Sequence, residues 1–105
     1  MTKKPHFKAM LTYNTTEDGG IATPISSGFR SAVRFPFNNQ DFIANQTFLD
    51  TDLVFPGDIV STDITLVDLN DVLKYIYSGL NFDLLLNSSI IGSGVITQLY
   101  FSENS

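Results

Sequence analysis

The sequence predicts an all-β domain of five or six strands, arranged as an antiparallel sandwich or barrel. Three observations carry this. Apolar and polar residues alternate with period two in several separate stretches. Gly, Pro and Asn clusters punctuate those stretches, and no strand–helix alternation appears. The aromatic content is nine Phe and four Tyr, residue types that suit a pleated, half-buried surface.

The first strand is Phe7 to Tyr13, with Phe7, Ala9, Leu11 and Tyr13 on one face and Lys8, Met10 and Thr12 on the other. Glu17-Asp18-Gly19-Gly20 makes a turn, Thr23-Pro24 opens an extended loop, and Gly28 ends it. Phe29 to Phe37 is the second strand, with Phe29, Val33 and Phe35 opposite Arg30 and Arg34. Pro36 restricts where this strand can pair. Phe42 to Leu49 is the third strand. Pro56-Gly57-Asp58 turns the chain into the fourth, Ile59 to Val67, with Val60, Ile64 and Leu66 inward. Asp68 to Gly79 carries competing signals. Asp68 or Asn70 can cap a short helix with Leu69, Val72, Leu73 and Ile76 on its apolar face, while its β-branched and aromatic residues oppose one. The reading is one or two helical turns. Asn81 to Leu86 and Ile90 to Phe101 close the chain, joined by a hairpin turn at Asn87-Ser88-Ser89. A barrel removes exposed sheet edges, which suits so apolar a chain.

With 105 residues there is room for one core, and 43% hydrophobic against 16% charged residues is enough to fill it. The expected division is a tail over 1–6, a barrel over 7–101 and a tail over 102–105. Eleven acidic against six basic residues leave a net charge of −5, which repels phosphate backbones and disfavours nucleic acid as a partner. No stretch is long and apolar enough for a membrane helix, and the charged start MTKKPHFKAM has no apolar run behind it. The expected location is the cytoplasm.

The chemical inventory argues against catalysis and for neither cofactor nor metal. There is no cysteine, and the single His6 lies in a polar stretch where a mobile side chain is expected. Asp50 and Asp52 read as a solvated loop. Asp68-Leu69-Asn70-Asp71 lacks the glycine and terminal glutamate of a calcium loop. Gly92-Ser93-Gly94 sits between β-formers, so close backbone packing fits it better than phosphate binding.

Several of these pieces fall in a familiar order. Phe7-Lys8-Ala9, Glu17-Asp18-Gly19-Gly20, Thr23-Pro24, Gly28-Phe29-Arg30, Phe55-Pro56-Gly57-Asp58 and Ile91-Gly92-Ser93-Gly94-Val95 together resemble the third, C-terminal domain of elongation factor Tu. The resemblance spans about Pro5 to Phe101 and implies a six-stranded antiparallel closed barrel. In that family the barrel helps hold the T-stem of aminoacyl-tRNA beside a second barrel and a nucleotide-binding domain. The family's Arg-His before Thr-Pro is here Ile21-Ala22, its Pro-Gln pair is Ser31-Ala32, and its Gly-Gly-Arg turn is Asn87-Ser88-Ser89. Of its cationic groups only Arg30 remains.

The resemblance therefore implies a barrel that keeps its shape and loses its RNA contacts. The expected function is non-catalytic protein binding, as a mimic or decoy that engages a partner of that factor or a toxin aimed at it. The second reading is an accessory translation protein that docks onto separate factor subunits or weakly contacts tRNA. The candidate binding surface is Arg30, Arg34 and Phe42, against the plainer alternative that Arg30 pairs with a nearby acid. Residues 71–78 form an insertion relative to the family and a second place to look.

Overall fold

A computed structural model describes residues 4–37, 39–67 and 72–101. Six strands close into an antiparallel barrel, and a two-residue ribbon sits beside it. In chain order the strands are β1 (Phe7–Tyr13), β2 (Ile25–Ser26), β3 (Phe29–Arg34), β4 (Asp41–Phe48), β5 (Leu53–Val54), β6 (Ile59–Leu66), β7 (Asn81–Leu86) and β8 (Ser89–Leu99). Around the barrel the order is β1-β6-β4-β3-β7-β8, and β8 returns to β1. Closure satisfies both edges of every barrel strand.

The alternation read from the sequence becomes inside and outside. Phe7, Ala9, Leu11 and Tyr13 of β1 are all buried. They meet Phe42, Ala44 and Phe48 of β4, Val60, Ile64 and Leu66 of β6, and Phe82 and Leu84 of β7 in one apolar cluster. At one end of the barrel Phe35 lies 5.8 Å from both Phe42 and Phe82, and Phe7 meets Phe82 edge-on at 6.0 Å. Edge-to-face contact places the positive ring edge on the negative face of its neighbour.

Small residues let β8 fit against its neighbours. A Cβ on Gly94 would stand 2.4 Å from Phe82 Cζ and 2.7 Å from Leu11 Cδ2, and one on Gly92 would stand 2.5 Å from the Thr12 carbonyl oxygen. Close packing is therefore the role of these glycines, as expected. β8 also carries two register shifts, opposite Lys8/Ala9 and opposite Leu84/Leu85, which bend it around the barrel.

The turns follow their residue chemistry. Thr16–Asp18 is a 3-10 turn in which Thr15 Oγ1 accepts from the Asp18 N–H at 3.2 Å and Gly19 ends the turn at φ 86°. Asn87 and Ser88 both have positive φ, 52° and 68°, joining β7 to β8 as a tight two-residue hairpin. The short helical element exists as a 3-10 turn, Val72–Tyr75, with Val72 and Ile76 buried. Its expected cap at Asp68 or Asn70 lies outside the described residues, as do 1–3 and the expected C-terminal tail 102–105.

Three local readings need correction. The second strand stops at Arg34, because Pro36 has no N–H to continue the ladder and falls in a turn. The β2–β5 ribbon pairs Ile25 with Val54 and Ser26 with Leu53, too short to leave a periodic signal. His6, expected in a mobile tail, is tied into the barrel. Its N–H donates to the Ile64 carbonyl at 2.8 Å, its carbonyl accepts from Tyr100 at 3.0 Å, and its Nδ1 accepts the Leu66 N–H at 3.0 Å. No helix among the described residues is long and apolar enough to cross a membrane.

Candidate binding surface

Inside and outside separate the three residues singled out in the sequence. Phe42 is 2% exposed and packs against Phe35, so it belongs to the core. This corrects its assignment to the surface: on β4 the inward phase is Phe42, Ala44, Gln46 and Phe48, and Phe42 shares it. Arg34 lies outside and directly opposite Asp41 in the β3–β4 register. Its guanidinium grips that carboxylate twice, Nε to Oδ1 at 2.7 Å and Nη2 to Oδ2 at 3.2 Å. The Asp41 hydrogen bond, and then its charge, raise the Arg34 pKa above the ordinary guanidinium value. The staple foreseen for Arg30 is thus made by Arg34.

Arg30 is exposed on β3 opposite Asn45 and forms no ion pair with any described residue. It borders a shallow groove across β3, β4 and β6 with Asn45, Thr47, Asp63 and Thr65. Asp63 is held by the Tyr100 hydroxyl at 2.7 Å. Burial first, then this hydrogen bond and the carboxylate charge, push the Tyr100 phenol up to about 12. The groove therefore offers one cation, the Asp63 carboxylate and several hydroxyl and amide groups.

A different surface collects apolar side chains. Met10 on β1, Leu53 on β5, Phe55, and Ile59 on β6 line one depression, and all four are exposed, Phe55 by 51% and Ile59 by 66%. The backbone dictates this grouping. Thr12 pairs with Ile59 and Met10 with Ser61, which sets the Met10 and Ile59 side chains outward on neighbouring strands. The Phe55-Pro56-Gly57-Asp58 turn brings Phe55 alongside, held by the Phe55 N–H donating to Asp58 Oδ2 at 2.9 Å. Thr51 Oγ1 accepts the Leu53 N–H at 3.3 Å and positions the start of β5. Asp50 and Asp58 share the depression.

The sequence held a signal for this patch that went unused. Met10 and Ile59 are apolar residues in the polar phase of their strands, the mark of a group with no place in the core. A second aromatic group lies at the opposite end, around the 3-10 turn Val72–Tyr75. Tyr75 and Tyr77 are exposed, Phe37 lies 5.8 Å from Tyr75, and Lys74 Nζ stands 5.5 Å from the Tyr75 ring centre.

The interior holds one polar chain. The Tyr13 hydroxyl donates to Gln46 Oε1, and Gln46 Nε2 donates to Ser31 Oγ at 2.7 Å. Burial raises the Tyr13 phenol well above its usual value, against the opposing effect of the Gln46 hydrogen bond. Thr62 Oγ1 is buried without a hydrogen-bond partner among the described residues. Among the described residues, no group of three or more His, Cys, Asp or Glu is arranged to hold a metal ion. No known family model matches the chain.

Proposed function

We propose that this chain is a non-catalytic protein-binding barrel of the elongation factor Tu C-terminal type, a mimic that engages a partner of that factor or a toxin directed at it. One observation carries the binding part of the reading. Most inward positions are filled by apolar side chains, while twelve large hydrophobic residues stay exposed among the described residues, four of them gathered at Met10, Leu53, Phe55 and Ile59. Exposed apolar groups gathered in one place favour contact with another macromolecule.

The link to the factor rests on the residues that set the barrel's turns. Gly19, Gly28 and Gly57, which belong to the resembling segments, all adopt positive φ, and Gly92 and Gly94 pack where no side chain fits. The residues that differ from that family are Ile21 and Ala22, directly after the paired glycines, Ser31 and Ala32 on β3, and the Asn87-Ser88-Ser89 turn. Loss of cations there weakens a phosphate-binding role, since each neutralised phosphate contributes through counterion release.

The test is affinity capture from the native host with the full chain as bait, followed by quantitative mass spectrometry. The expected result is a retained protein that the isolated C-terminal domain of elongation factor Tu displaces. Failure to retain any protein above an unrelated acidic barrel would count against the proposal. A filter-binding titration giving micromolar or tighter tRNA affinity at low salt would redirect it toward the RNA-contacting role.

A further inference from the structure

We infer that the Met10–Leu53–Phe55–Ile59 patch docks a cationic, apolar segment of another protein, one in which Lys or Arg flank large aliphatic or aromatic side chains. This deepens the protein-binding reading above and rests on it. The argument is charge complementarity. Register pairs Tyr13 with Gly92, Thr12 with Ile59 and Leu86 with Ser89, so these strand ends share one end of the barrel. Backbone bonds from Gly57 N to Asn14 O and from Ser27 N to Asp52 O fasten the adjoining loops to the same end.

The segments that meet there, 13–28, 47–62 and 86–94, contain Glu17, Asp18, Asp50, Asp52 and Asp58 and no Lys, Arg or His. All five carboxylate residues are exposed. The cations of the described residues lie on 4–8, 30–34 and Lys74, with Lys8 two residues from Met10 on the outward face of β1. The depression itself is lined by Asp50 and Asp58 and by no cation among the described residues.

That sign selects among occupants. A second copy meeting this end across a two-fold axis would bring two sets of carboxylates together, which is unfavourable. Nucleic acid and anionic lipid are repelled by the same groups. A cationic segment is steered in by them, and its apolar side chains cover Phe55 and Ile59 once it arrives. Exposed aromatic and aliphatic anchors of this kind dominate binding energy when a partner desolvates them.

The test uses a random twelve-residue peptide library displayed on phage and selected on the full, immobilised chain. The expected outcome is enrichment of peptides combining Lys or Arg with Leu, Ile, Phe or Trp. Their affinity should fall at least about tenfold on F55S/I59S, through loss of two anchors. It should also fall roughly tenfold between 50 and 500 mM salt, or in D50N/D52N at low salt, through loss of charge attraction. These four side chains are exposed, and a thermal melt confirms that each variant folds. Enriched peptides without cations, or peptides whose binding ignores both variants, would overturn this surface while leaving protein binding intact. No enrichment of any peptide would overturn the inference and weigh against the protein-binding reading as well.

Discussion

Replacing Gln46 by leucine tests the polar chain inside the barrel. Gln46 is fully buried, accepts the Tyr13 hydroxyl proton and donates to Ser31 Oγ at 2.7 Å. Leucine keeps much of the volume and removes both partners. The hydroxyl of Tyr13, a residue only 1% exposed, is then stranded, at a desolvation cost of about 1–3 kcal/mol. Ser31 Oγ loses a donor but keeps a long contact of 3.5 Å to the Ala32 carbonyl, so its share is smaller. Q46L should therefore destabilise the barrel by about 2–3 kcal/mol. Y13F strands Gln46 Oε1 instead and should cost about 1–3 kcal/mol. In the double variant neither the hydroxyl nor the amide is left unpaired, so its cost should fall short of the sum by about 1 kcal/mol or more. Urea titrations followed by far-UV circular dichroism measure all four proteins, a suitable probe for a chain without tryptophan. Strict additivity of the two single variants, or a neutral Q46L, would refute the reasoning.

Three further outcomes are expected. The folded Tyr13 phenol titrates above its unfolded value of 10.0, so its contribution is complete below pH 10 and is lost as pH rises beyond it. The Tyr13 contribution should then fall by up to about 1.4 kcal/mol per pH unit, and Y13F should remove that part of the slope in urea titrations from pH 9 to 11, leaving the smaller part that the more exposed Tyr100 contributes in the same direction. Gly94→Ala forces a methyl to within 2.4 Å of the Phe82 ring and 2.7 Å of Leu11, and should cost about 1–3 kcal/mol by the same measurement. Thr62→Val exchanges a buried, unpartnered hydroxyl for a methyl of similar shape and should raise the melting temperature, by an amount corresponding to about 1 kcal/mol; a lowered melting temperature would mean that the hydroxyl has a partner in solution.

Much of the fold was legible because closure of a barrel depends on parity. Phe7, Ala9, Leu11 and Tyr13 needed only their alternation to be placed inside, and Val60, Ile64 and Leu66 likewise. Turn chemistry was equally readable at Gly19 and Asn87, where backbone conformation is set within a few residues. What escaped depends on contacts distant in sequence. The β2–β5 ribbon joins residues about thirty apart through two pairs, and His6 is held by Leu66, sixty positions away. The candidate site fared worse for the same reason. Charge drew attention to Arg30 and Arg34, yet whether an arginine is free depends on its cross-strand neighbour, and only Arg34 faces an aspartate. Phe42 was misplaced although its own strand carried the parity that buries it.

Parity also separates stability from the proposed recognition in this molecule. A closed barrel offers no unpaired strand edge of its main sheet, so a partner cannot extend that sheet and must read side chains. The outward side chains contribute little to the core, which frees them to be apolar without loss of fold. Met10 and Ile59 follow that logic: Met10 points outward between buried Ala9 and Leu11, and Ile59 points outward beside buried Val60. Polar replacements at Met10 and Ile59 should therefore leave the unfolding midpoint nearly unchanged while altering binding, whereas replacements one residue along should do the reverse. A large loss of stability from I59S would break the division and return Ile59 to the core.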